Sequence, residues 1–130
     1  MATWEDVRRI ALALPHTEER SSRGQLQWVV ADKGFVWERP LRKGDLAALG
    51  DRAPDGPILG VHVEHLGLKE AVLASNPAVF FTTPHFNGYP AVLARLDRIS
   101  VEELTEVIED AWLARAPKKI ASAYLSSREA

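Results

Sequence analysis

Histidine is the side chain best suited to proton transfer near neutrality and the commonest metal ligand. This chain has four histidines and no cysteine. His62 and His65 flank Glu64 where a strand-like run meets a helix-like one, so a bend there can bring two imidazoles and a carboxylate together. Zinc or iron needs at least three protein ligands, and Glu64, His16 or His85 would have to supply the third. The plainer account makes these histidines caps and surface residues, and no metal or cofactor is expected. His85 lies in Thr83-Pro84-His85-Phe86-Asn87-Gly88-Tyr89-Pro90, a loop dense in polar and aromatic side chains. Together with Tyr89 and Trp28 it outlines a candidate ligand pocket between sheet and loops. A turn whose Phe86 and Tyr89 merely cover the end of the sheet explains the same composition.

Catalytic motifs are absent. The chain contains no Gly-x-x-x-x-Gly-Lys-Ser/Thr, no Gly-x-Gly-x-x-Gly, no Gly-x-Ser-x-Gly and no His-Glu-x-x-His. Phosphate cradles and nucleophile elbows lose their usual support, and no catalytic residue is assigned.

Charge is distributed unevenly. Residues 1–43 carry +2, residues 44–110 carry −7 and residues 111–130 carry +3. Arg39, Arg42 and Lys43 follow a hairpin that contains Trp28, Phe35 and Trp37, with Lys33 at its turn and Arg20 and Arg23 ahead of it. If that hairpin stands out as a wing, Lys33, Arg39, Arg42 and Lys43 track phosphates while Trp37 stacks on a base. If the tryptophans are core, the cations are a solvated rim.

The elements that must position these residues follow from spacing. Thr3 and Asp6 resemble a capping box, and Val7, Ile10, Ala11 and Leu14 recur at helical intervals until Pro15 ends the helix. His16 to Gly24 reads as a polar connector. Leu26 to Arg39 alternates as a hairpin turning at Asp32-Lys33-Gly34. Leu41 to Pro57 reads as a loop with at most one helical turn near Asp45 to Leu49. Ile58 to Val63 reads as a central strand. Leu66 to Ala74 fits a short helix with Leu66, Leu73 and Ala74 on one face, stopped by Asn76-Pro77. Val79 to Thr83 and Ala91 to Leu96 flank Asn87-Gly88, which suits a type I′ hairpin tip frayed by Pro84 and Pro90. Ser100 and Glu103 form a capping box opening a helix that buries Leu104, Val107, Ile108 and Ala111 beneath an acidic outer face. Lys118 to Ser127 reads as a terminal helix packed through Ile120, Tyr124 and Leu125. Hairpins dominate over βαβ units, so the fold class is α+β: a two-layer sandwich with helices on one face of an antiparallel sheet.

These landmarks have a family look. Leu14-Pro15-His16-Thr17-Glu18-Glu19, the Trp28 to Phe35 hairpin with Asp32-Lys33-Gly34-Phe35, Thr83 to Pro90 leading into Val92-Leu93-Ala94-Arg95-Leu96, and Asp110-Ala111-Trp112 followed by Ala116-Pro117-Lys118-Lys119 resemble the MmcQ/YjbR family over nearly the whole chain. The resemblance implies a compact fold similar to secretion-chaperone-like domains. It also implies DNA contact through a double-wing arrangement, with no enzymatic activity established for the class and no catalytic residue to carry over.

Composition sets the outer bounds. At 130 residues, 46% hydrophobic and 26% charged, the chain suits a single globular domain over residues 1–130. A formal charge of −2 creates no global field toward nucleic acid or anionic lipid. With no apolar run long enough for a bilayer and no leader-like start, a cytoplasmic location without membrane partners is expected. The function expected is a binding protein that contacts DNA weakly and without sequence preference through the first hairpin. The alternatives are a small-molecule or peptide module near His85 and Tyr89, or a metal-assisted hydrolase built on the histidines. Oligomeric state is not legible.

Overall fold

The computed structural model describes residues 2–129. In chain order the elements are α1 (Trp4–Leu12), β1 (Thr17–Ser22), β2 (Gln25–Val30), β3 (Lys33–Glu38), α2 (Lys43–Leu49), β4 (Ile58–His62), α3 (Leu66–Ser75), β5 (Phe80–Phe81), β6 (Ala91–Arg95), α4 (Val101–Arg115) and α5 (Lys118–Glu129). One antiparallel sheet of six strands runs β1-β2-β3-β4-β6-β5. Helices pack on it, so the α+β class holds.

Local chemistry accounts for most boundaries. The Thr3 hydroxyl accepts from the Asp6 N–H at 3.3 Å and the Asp6 carboxylate accepts from the Thr3 N–H at 2.9 Å, the reciprocal cap that starts α1. At α4 only half of the expected box forms. Ser100 Oγ accepts from the Glu103 N–H at 3.0 Å, but the Glu103 carboxylate takes the Asn76 amide instead, tying α4 to the end of α3.

The segment expected to be a connector is instead strand β1. Its polar sequence TEERSS hid it, because an edge strand needs few apolar residues and charges there discourage further pairing. Glu19 explains the polarity. Its carboxylate receives both Arg8 Nε at 2.7 Å and Arg8 NH2 at 2.8 Å from α1, and Trp28 Nε1 at 3.0 Å. Two-residue turns join β1 to β2 at Arg23-Gly24 and β2 to β3 at Ala31-Asp32, all four residues at positive φ. The second turn therefore lies earlier than Asp32-Lys33-Gly34, and Ala31 carries strain of about 1 kcal/mol there. Helix α2 is likewise longer than the single turn expected.

The helical face of the sheet carries the main core. Trp28, Val36, Leu59, Val61 and Val92 meet Leu104, Ile108, Ala111 and Trp112 from α4 and Val7 and Ile10 from α1. Trp112 Nε1 donates to Pro15 O at 3.1 Å, and Tyr124 of α5 meets the indole edge-on at a centroid distance of 4.9 Å. Leu125 is exposed, so α5 packs through Ile120 and Tyr124 alone. On α3 the inward residues are Lys69, Val72 and Leu73, while Leu66 and Ala74 face out. Lys69 belongs inside because its ammonium reaches the carbonyls of Phe86 and Tyr89.

The opposite face holds a second, smaller core. Trp37, Gly60, Leu93 and Phe81 pair across β3, β4, β6 and β5, and Ile58, Leu41 and Phe86 join them. A Cβ on Gly60 would overlap the Trp37 indole at Cε2 and Nε1, so the glycine is what lets the ring lie against the strand. Helix α2 and a 3₁₀ turn at Pro84–Phe86 cover this face. The β5–β6 hairpin pairs as expected, but its tip is not type I′. Asn87 has φ −59° and ψ 129°, only Gly88 is positive at φ 75°, and Tyr89 N–H donates to Phe86 O at 3.0 Å, which is a type II turn.

Two substitutions test these layers. Gly60→Ala is expected to cost about 1–3 kcal/mol in urea unfolding through overpacking against Trp37, and the Gly60→Ala/Trp37→Leu pair to lose less than the sum of its parts. Leu104→Ala, at a fully buried position, is expected to cost roughly 2–5 kcal/mol. A loss below about 1 kcal/mol would place Leu104 outside the core.

Candidate functional site

Strand β4 is buried over its whole length and ends at His62. The chain then turns through Glu64 and His65 into α3, where His65 Nδ1 accepts from the Leu68 N–H at 3.2 Å and caps the helix. Helix α3 packs toward β5 and β6, whereas α4 packs on β3 and β4. The two helices diverge over the end of β4 and leave a cavity of about 320 Å³. Leu68 and Val72 of α3, Val107 and Leu113 of α4, and Val61 and Val63 form its apolar lining. Glu64 and Asp110 supply its polar side chains, while His62 borders it between Val61 and Val63 and pairs with Ala91 of the opposite core.

These three groups differ in character. His62 is 8% exposed and its Nδ1 is buried without a hydrogen-bond partner. Burial, assisted by the Arg115 guanidinium, pushes the imidazole down to about 4, so the ring is neutral at pH 7. Glu64 and Asp110 are exposed and mark the mouth. Partial burial, with Glu109 and Glu106 nearby, pushes the Asp110 carboxyl above its ordinary value. Among the described residues, no cation pairs with Glu64 or Asp110. A largely apolar cavity bordered by two carboxylates can hold a small organic molecule.

The residues singled out from sequence do not converge. Trp28 is fully buried in the main core, its Nε1 spent on Glu19, and β3 and β4 separate its strand from β6. It lines no pocket with His85 and Tyr89, a correction forced by the indole's need for a core seat and an acceptor. His85 and Tyr89 are exposed and flank Phe86, His85 edge-on at 4.9 Å and Tyr89 tilted at 6.2 Å. Their loop is held from beneath by Lys69, buried on α3, whose Nζ donates to Phe86 O at 2.6 Å and Tyr89 O at 2.9 Å.

The basic hairpin is also divided. Arg39 is 4% exposed, ion-paired to Asp45 at 3.0 Å and seated over the Phe86 ring at 5.2 Å, so it offers nothing to a phosphate. Burial raises the Asp45 carboxyl, but the Arg42 N–H and the Arg39 guanidinium outweigh it and leave the group below its ordinary value. Lys33 lies at the start of β3, while Arg42 and Lys43 come after its other end. Trp37 is half-buried against Gly60. Arg20 is engaged by Glu18 and Asp32. Among the described residues, no group of three or more His, Asp or Glu side chains is placed to hold a metal ion.

Sequence reasoning weighs His62 as a metal ligand or as an ordinary cap or surface residue, and misses the cavity. The signal that could have found it was a histidine inside an otherwise apolar strand, followed at once by a capping His65.

The His62 environment has a consequence for stability. With the folded value near 4 against about 6.5 unfolded, the unfolded chain binds the proton first as pH falls. The stability tied to neutral His62 is complete above about pH 6.5 and drains away between there and about pH 4. The expected extra loss between pH 7.5 and 4.5 is roughly 2–3 kcal/mol in urea titrations, and His62→Gln should remove it. Equal pH dependence in wild type and variant would show that the ring is solvated.

Comparison with known proteins agrees with the topology. Two relatives, "Uncharacterized protein Rv2570" of Mycobacterium tuberculosis and "Uncharacterized protein Mb2600" of Mycobacterium bovis, are each 50% identical over 130 residues, covering 98% of both chains. The crystal structure of Deinococcus radiodurans protein DR2400, whose family-model domain is DUF419, superposes with a TM-score of 0.66 at 21% identity. That match covers 98% of this chain and 88% of the other, so the fold is shared. The model of the YjbR family matches residues 12–114, from the end of α1 nearly to the end of α4, and the chain belongs to that family.

Proposed function

We propose that the chain is a small-molecule-binding protein whose ligand seats between β4, α3 and α4. The observation that supports this is a cavity of about 320 Å³ at the end of β4, lined chiefly by Leu68, Val72, Val107 and Leu113 from the two helices. The cavity volume falls at the lower end of the range of small-ligand sites. This reading keeps the class of a pocket between sheet and neighbouring segments but moves it from His85 and Tyr89 to His62, Leu68 and Asp110.

DNA binding has less support. Removing Arg39 from the cationic set leaves Arg42 and Lys43 beside each other with Lys33 remote, too few charges to neutralise more than a few phosphates. The acidic mouth on α4 repels a nucleic acid backbone.

Fragment titration followed by ¹⁵N NMR is the direct test. Bound fragments should shift amides of residues 61–64, 68–72 and 107–114. At about ten times Kd they should add roughly 1.4 kcal/mol of stability, which raises Tm by several degrees. Ala114→Trp, which fills the cavity from α4, should abolish both effects. Shifts confined to residues 33–43 on adding a DNA duplex, with Kd near 10⁻⁸ M at physiological salt, would replace this reading with a nucleic acid role.

A further inference from the structure

We infer that α3 is a lid on this cavity, pivoting at its C-terminal end and latched open by Lys69. The inference rests on the cavity reading above and adds how the site closes. Three observations carry it.

The first is how narrowly α3 is seated. Among its described residues Lys69 alone is buried, with Val72 and Leu73 partly so, whereas α4 buries Leu104, Ile108, Ala111 and Trp112. Lys69, Val72 and Leu73 stand three and four residues apart and so form one ridge of the helix. Space flanks that ridge on both sides. Leu68 and Val72 border the cavity toward α4, while Leu66, Glu70 and Leu73 border a second one of about 400 Å³ toward Thr82 and Asn87. A helix interdigitated with its neighbours is locked by close packing. One seated on a single ridge between two gaps is free to rock.

The second is the asymmetry of its ends. Asn76 leaves the helical conformation, with φ −155° and ψ 81°, and its amide donates to the Glu103 carboxylate at 3.1 Å, which fixes this end to α4. The first turn is tied only to itself, since the His65 cap bonds the Leu68 N–H and moves with the helix. Leu66 and Leu68 there are 49% and 38% exposed. At roughly 1.5 Å of rise per residue Leu68 lies about 12 Å from Asn76, so a rotation of about 10° carries it about 2 Å.

The third is the direction of the latch. Lys69 Nζ donates to Phe86 O and Tyr89 O, both on the 82–90 loop and neither on α4. These bonds hold α3 on the flank away from the cavity, and water can replace them when the helix turns. A ligand in the cavity offers apolar surface that Leu68 and Val72 cover fully only after that turn, so binding selects the closed lid.

The test uses the full chain, with indole as the probe. In the free wild type, ¹⁵N relaxation dispersion should detect exchange on the microsecond to millisecond scale at residues 66–72 and none in the middle of α4. Saturating indole should quench it. Lys69→Met keeps the apolar stem but cannot donate, so indole should bind at least threefold more tightly to it, because closure no longer breaks the latch. A lysine that merely holds the site together would give the opposite sign. Flat dispersion at residues 66–72 in the wild type, a measurement that needs no variant, overturns the lid. So does indole that shifts the cavity amides without quenching the exchange or without gaining affinity in Lys69→Met, and the cavity reading then stands. If indole moves no amide of residues 61–64, 68–72 or 107–114, the cavity reading fails and takes the lid with it.

Discussion

Strand β4 is buried on both sides, and that constraint governs the rest of the molecule. A strand in the middle of a sheet with one wet face could alternate apolar and polar residues, but Ile58 to His62 are all buried. The chain must therefore find two covers for one sheet. Four of its five helices serve the main core, and only α2, a 3₁₀ turn and two loops remain for the other face. Short elements bury little area each, so that side relies on one large flat side chain, Trp37, laid over a position with no side chain at all, Gly60.

The thin cover also explains why charges went inside. Helix α2 has few apolar residues facing the sheet, and Leu46 is exposed. What fixes it instead is Asp45, which accepts the Arg42 N–H at 2.9 Å and pairs with Arg39 at the end of β3. Burying such a pair is at best near neutral in net energy, because desolvation offsets the attraction. Its contribution is position: it brings α2, the Phe86 ring and the end of β3 into one arrangement. Lys69 does the same from the other side, with two backbone carbonyls of the 82–90 loop as its only acceptors. Burial pushes its ammonium down, but the two carbonyls satisfy its donors.

Sequence legibility followed from where burial is one-sided. Helices α1 and α4 were visible because their caps and apolar stripes are local signals, and β2, β3, β4 and β6 were visible because apolar runs have few other uses. Strand β1 was not, since its reason for pairing is Glu19, a charged residue whose partners Arg8 and Trp28 lie on other elements. The candidate site was hidden for the same reason. Loop chemistry at His85 and Tyr89 is legible in the sequence, while nothing local to Arg39 or Trp28 shows Asp45 or Glu19 waiting for it. His62 was legible as a histidine in a strand, but its missing partner is a property of three elements together.

The cavity itself follows from how α3 is held. Glu103 gives up its half of the α4 capping box to hold Asn76 at the end of α3, which anchors α3 to the start of α4. Lys69 simultaneously draws the middle of α3 toward the 82–90 loop and the β5–β6 edge. Pulled at these two points, α3 does not seal against the far half of α4, and the gap opens at Leu68, Val107 and Leu113 above Val61 and Val63. A void of this kind in an ordinary core would be filled by one larger side chain, at positions such as Ala114 where the space exists. Here it is kept open by two polar anchors that a simple core has no need of, and it is bordered by two carboxylates without counterions. The same contacts that hold α3 in place therefore also shape the cavity, so the position of this helix and the space beneath it are set by one pair of interactions and not by separate ones.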